Sequence, residues 1–189
     1  MQNTAVLKGQ KTDSLSIKGQ TLAALLGVGA AVALPQLAHA LGAFLGMGTG
    51  LGEILLPMHL PVMLVGFVAG PWAGAAAGLL APLVSFMLSG MPMAAMLPFM
   101  MIELWVYGFS AGLLRGSRLP VLVKVLLTQA AGRMVRGGAI LAGFYLLGTR
   151  IAPSVIWTSI VTGLAGIVLQ WILLPLLTKG TERLVHGER

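Results

Sequence analysis

Between Lys18 and Arg115 the chain carries only two charged side chains, Glu53 and Glu103. That long apolar stretch limits the fold more than any motif does. Of the 189 residues, 57% are hydrophobic and 9% are charged. A soluble domain carries about 25% charged residues. The lipid bilayer is therefore the solvent this chain is built for. Each helical crossing takes about 20 apolar residues, so the stretch holds several. The 26 glycines suit close helix packing in lipid. The expected fold class is an all-α integral membrane protein.

Turn residues divide the apolar stretch. A polar, basic segment at 1–20 reads as a cytoplasmic tail or surface helix. A first helix is expected at 21–41. It is followed by a glycine-rich loop at 43–57 containing Gly46, Gly48, Gly50, Gly52 and Glu53. Further helices are expected at 58–69, 72–88, 94–114, 121–147 and 154–178. They are separated by Gly70-Pro71, by SGMPM at 89–93, by RGSRLP at 115–120 and by GTRIAP at 148–153. Pro71 suits the first turn of a helix. The six-helix membrane domain then spans 21–178, with a C-terminal tail at 179–189.

Six crossings place both termini on one side. Setting aside Arg133 and Arg136, which lie within the fifth helix, that side collects nine Lys/Arg: three in the N-terminal tail, three between Arg115 and Lys124, and three after residue 178. The opposite side has one, Arg150. The positive-inside rule makes the richer side cytoplasmic. The 43–57, 89–93 and 148–153 connections then lie outside. A competing reading of the start is a signal peptide: three lysines, an apolar run at 22–34, and AHA at 38–40. Against it, the run is rich in Gly and Ala, and apolar sequence continues past the AHA.

The net charge of +7 follows this topology. It forms no continuous basic face, and no nucleic-acid motif accompanies it. Without cysteine there is no thiol catalysis, disulfide or Cys-based metal site. The three histidines, His39, His59 and His186, have no metal-ligand spacing. No paired-acid, G-x-S-x-G or P-loop pattern occurs, so ATP hydrolysis is not expected of this chain. No cofactor or metal is expected in this chain.

Ionisable groups within a membrane are costly and point to function. Arg133 and Arg136, three residues apart, share a helix face. Glu103 lies at a similar depth on the preceding helix. One reading is a buried ion pair tying two helices together. In the other, one arginine pairs with Glu103 while its neighbour faces a cavity, where a guanidinium would bind a carboxylate or phosphate. Two arginines against one glutamate leave a positive charge over, which favours an anionic ligand. His59, between Pro57 and Pro61, reads either as an interfacial histidine bonded to loop backbone or as a ligand contact. Trp105 and Tyr107 read as interfacial anchors or as pocket walls. The methionines at 91, 93, 96, 100 and 101 read as adaptable packing. The first helix carries two small-residue rows, Ala23-Gly27-Ala31 and Gly29-Ala33. Such rows let helices approach closely, within the chain or between subunits.

The segments LLPMHLPVML, ELWVYG and AAGRMVRG, in this order and on six helices, resemble the substrate-binding S components of energy-coupling factor (ECF) vitamin transporters. The likeness runs over about 23–176 and leans toward the pantothenate-type branch. It implies high-affinity binding of a small water-soluble vitamin from outside. The implied lid is the 43–57 loop, with Gly48, Gly50, Gly52 and Glu53. The vitamin contacts offered by the reading of the polar groups above are Arg133, Arg136, Glu103, His59, Trp105 and Tyr107. The likeness implies a first helix docking on a transmembrane T subunit through Ala23, Gly27 and Ala31 or through Gly29 and Ala33. Two ATPase subunits that use ATP would then drive toppling and release, in the cytoplasmic membrane of a prokaryote. The alternative is a stand-alone secondary transporter or channel for a small organic anion. A membrane enzyme acting on a lipid-linked substrate would need an acid pair or metal constellation that is not found.

Overall fold

The computed structural model describes residues 15–48 and 50–186, with side-chain environments up to Thr181. Most of the N-terminal tail and the last three residues lie outside the described residues. Among the described residues every regular element is helical: α1 (Ile17–Phe44), α2 (Gly50–Leu55), α3 (His59–Ala69), α4 (Pro71–Ser89), α5 (Leu97–Leu114), α6 (Val121–Leu147), α7 (Ser154–Thr162) and α8 (Leu164–His186).

Local chemistry sets most boundaries. The Ser16 hydroxyl accepts from the Gly19 amide at 3.2 Å, so α1 starts four residues before the expected position. Gly70 has φ 100°, which a side chain would resist, and Pro71 then opens α4. Gly90 and Gly148 close α4 and α6 in the left-handed region.

Three expectations about elements need correction. The 43–57 segment is not a loop throughout, because it folds into a tight turn and the six-residue helix α2. The Met47 amide reaches the Gly42 carbonyl at 2.8 Å, which folds the turn back on α1. The last predicted helix is two helices, α7 and α8, parted at Gly163. Helix α8 then continues to His186, into the segment read as a tail.

Among the described residues, five helical spans are long and apolar enough to cross a membrane: Ile17–Phe44, Gly50–Ala69, Pro71–Ser89, Leu97–Leu114 and Leu164–Thr181. Helix α6 is longer than most of these, at 27 residues or about 40 Å. It is less apolar because Lys124, Thr128, Gln129 and Arg136 lie on its buried stripe. The polar face of this helix points into the bundle rather than away from it. The fold is thus a multi-pass helical membrane protein.

The bundle is organised around α5, which packs on α3, α4 and α6. Helix α1 covers α3 and α4, and α8 closes against α3 and α6. Glycine brings the centre together. A Cβ on Gly74 or Gly108 would strike the backbone of the other, and one on Gly78 would strike the Leu104 carbonyl. Helices α4 and α5 therefore meet backbone to backbone. In lipid, where apolar burial drives little association, such close van der Waals contact is the main adhesive. Val62, Met63, Leu104, Tyr107, Val125 and Leu174 fill the adjoining core.

The two small-residue rows of α1 face opposite ways. A Cβ on Gly27 would run into the Val65 side chain of α3. Ala31 is fully buried, and Ala23 packs on the cluster of Val65, Ala69, Ala73 and Ala77. This row packs on α3 and α4 within the chain, one of the two partners the sequence left open. The Gly29–Ala33 row is exposed, with open space around Gly29.

Candidate functional site

The close approach of α4 and α5 fixes the rotation of α5. Glu103 and Tyr107, one turn apart, face the interior. Gly132 of α6 lies against the Tyr107 ring, where any Cβ would collide. Helix α6 is thereby held close enough for its arginines to reach Glu103. The Arg136 Nη1 donates to Glu103 Oε2 at 3.0 Å. The Arg133 Nε lies 3.4 Å from Oε1. Tyr107 donates its hydroxyl to Oε1 at 3.2 Å. The His59 Nε2 lies 3.8 Å from Oε2, and its ring sits 5.2 Å from that of Tyr107. Glu103 has no solvent exposure at all.

Two guanidinium groups thus share one carboxylate. A charge removed from water costs several kcal/mol unless it is paired and hydrogen bonded. The carboxylate accepts from Arg136 and Tyr107, while the Nε atoms of Arg133 and Arg136 find no hydrogen-bond partner in the protein. The site keeps one formal positive charge and unspent donors.

A cavity of about 370 Å³ opens above this cluster. Glu103, Arg136, His59 and Ser85 line its polar part. Methionines 58, 91, 93, 96 and 100 line an adaptable apolar part. Its size and its few convergent polar groups suit a small organic molecule. Gly52 and Glu53 of α2 form part of the rim, with Glu53 exposed.

Of the residues expected at a site, Glu103, Arg136 and His59 meet at the cavity. Arg133 and Tyr107 lie beside them on Glu103 rather than on the lining. His59 is buried, and neither ring nitrogen makes a hydrogen bond, so it is not pinned to loop backbone as one reading had it. Trp105 departs from the pocket reading. It is 39% exposed on the outer face of α5, stacked on Phe109 with ring centroids 5.3 Å apart. Gly48 and Gly50 border open space away from the cavity lining.

Other residues of the site escaped attention in the sequence. His39 of α1 lines the cavity, and the chain at Gly52 passes so near its ring that a Cβ there would clash. An amide chain behind the lining reaches it through Leu56. The Trp171 indole donates to Gln129 Oε1 at 2.6 Å, Gln129 donates to Gln170 Oε1 at 2.8 Å, and Gln170 donates to the Leu56 carbonyl at 3.2 Å. Leu56, at φ 47°, joins α2 to α3 and is the one described non-glycine residue with positive φ. A search for amides in apolar helices, as well as charges, would have found Gln129 and Gln170. Helix α7 also lines the cavity, through Val155, Thr158, Ser159 and Thr162. Among the described residues no group of three or more His, Cys, Asp or Glu side chains is arranged to hold a metal ion.

The chain matches the family described as ECF transporter, substrate-specific component, over residues 21–178. It belongs to that family and is a transport subunit rather than an enzyme. No curated protein and no solved structure matches it.

Proposed function

We propose that the chain binds a small water-soluble vitamin carrying a carboxylate, with pantothenate favoured. The observation that carries this reading is the cluster of Arg136 and Arg133 on a single carboxylate, with Arg136 lining the cavity. A ligand carboxylate beside Arg136 would neutralise the surplus charge, in the bidentate geometry guanidinium favours. Arg136→Met tests it, by ligand binding to the solubilised protein. Affinity for pantothenate should fall about 100-fold, with the helical fold retained. An unchanged affinity would remove the anion reading.

The chain crosses the cytoplasmic membrane of a prokaryote six times in this reading. The crossings are α1, α2–α3, α4, α5, α6 and α7–α8, with both termini inside. The nine-to-one distribution of Lys and Arg supports that orientation. So does the cavity, which draws Gly52, Met91 and Ile151 from the three connections that the charge count puts outside. Helix α2 and its turn then act as the gate, and the vitamin passes inward when a T subunit and two ATPase subunits topple the bundle. The exposed Gly29–Ala33 row is the docking surface this reading selects on α1. Gly29→Trp should abolish co-purification with the T subunit while leaving vitamin affinity within about twofold. Retained assembly would move the docking surface elsewhere.

A further inference from the structure

Helix α7 presents Val155, Thr158, Ser159 and Thr162 to the cavity. The spacing is i, i+3, i+4, i+7, a single helix face. Three of the four side chains carry hydroxyls. In a chain so poor in polar groups, three hydroxyls on one cavity wall need a reason.

Counting protons gives their sense. A hydroxyl has one proton to give and lone pairs to accept with. The Thr158 hydroxyl donates to the Ser154 carbonyl of its own helix at 3.2 Å. The Ser159 hydroxyl donates to the Ile156 carbonyl at 3.1 Å and accepts from Arg133 Nη1 at 3.4 Å. Both protons are spent on backbone. What these two groups have left for a ligand is acceptor capacity. Arg136 offers the opposite, since a guanidinium can only donate. The cavity is therefore polarised between Arg136, a donor on the α6 wall, and Thr158 and Ser159, acceptors on the α7 wall, while the Thr162 hydroxyl can serve either way.

We propose that Thr158 and Ser159 determine specificity by accepting hydrogen bonds from ligand hydroxyls, so the preferred ligand is a hydroxylated organic acid rather than a plain carboxylic acid. This rests on the anion reading of the Arg136 site. Thr158 is exposed and Ser159 half-buried, so water meets both acceptors in the empty site, and a bound acid without hydroxyls would displace that water and leave them unmet. Sites built around a substrate hydroxyl discriminate strongly against analogues that lack it.

The test compares two acids on the full chain in lipid nanodiscs, by titration calorimetry. Pantothenate carries two hydroxyls. N-pentanoyl-β-alanine keeps the carboxylate and the amide but has neither hydroxyl. The wild type should bind pantothenate at least about 30-fold more tightly, and Thr158→Val with Ser159→Ala should cut that ratio to about fivefold or less. Thr158→Val alone, which leaves the Arg133–Ser159 contact in place, should still bind N-pentanoyl-β-alanine as the wild type does, which shows that the fold and the anion site persist. Equal binding of both acids by the wild type, binding of neither, or a ratio unchanged in the double variant would each overturn the proposal. Arg136→Met separates the two ideas. If it abolishes binding of both acids while the α7 variant changes nothing, the anion reading stands and the hydroxyl proposal falls. If it changes neither affinity, the anion reading itself has failed.

Discussion

Helices α5 and α7 both line the cavity, yet they are held in different ways. Helix α5 meets α4 backbone to backbone at Gly74, Gly78 and Gly108, and buries Glu103, Leu104 and Tyr107. Helix α7 buries no residue, and it ends at Gly163, where α8 begins afresh. The charged groups therefore sit on the most constrained part of the molecule. The hydroxyl wall and α2 sit on short helices joined by turns. Pre-organised charge suits a site that must hold an anion without rearrangement. A lightly held wall suits a site whose occupant must enter and leave.

This contrast can be broken in order of effect. The largest change is expected for Glu103→Gln, which keeps the volume but leaves the buried Arg136 and the half-buried Arg133 guanidiniums without a carboxylate. Removing one partner of a buried pair costs about 3–5 kcal/mol. The variant should unfold at markedly lower denaturant in detergent, and stability equal to wild type would show that water already reaches the arginines. Next is Gly108→Val. Its side chain would meet the Gly74 backbone, which cannot move aside as a flexible side chain can. Overpacking of this kind costs about 1–3 kcal/mol, and here the upper end is expected. A thermal midpoint unchanged by this substitution would mean that α4 and α5 stand further apart than described. The smallest effect is expected for Gly50→Ala on α2, where a Cβ meets open space. Helix propensity favours alanine by about 1 kcal/mol, so stability should hold or rise slightly. If α2 is the gate, stopped-flow binding should show slower ligand exchange at similar affinity. Unchanged rates would detach α2 from gating and weaken the contrast at its lightly held end.

The bounds of α6 were legible to the residue, because Pro120 before it and Gly148 after it are local signals. The depth of Glu103 and the shared face of Arg133 and Arg136 were legible too, since helical spacing is fixed. Helix α2 was not, because its glycines read as loop. Nor was the break at Gly163, since glycine is common inside membrane helices. Trp105 and Tyr107 looked equivalent in sequence, two residues apart on α5. One proved to face outward and the other the carboxylate.

By itself the sequence determined the solvent of this protein, its helical class and the few places where charge enters its apolar segments. These follow from hydropathy and turn chemistry, which act over a turn or a crossing. Only the tertiary structure decided which way each helix turns. In water, a helix declares its buried side by an apolar stripe against a polar one. In lipid both sides are apolar, and that signal is lost. The rotation of α5 that brings Glu103 to the arginines comes from where backbones can touch, at Gly74 and Gly108, far apart in the chain. The rotation of α1 that hides Gly27 and shows Gly29 comes from the Val65 side chain of α3, which fills the space beside Gly27.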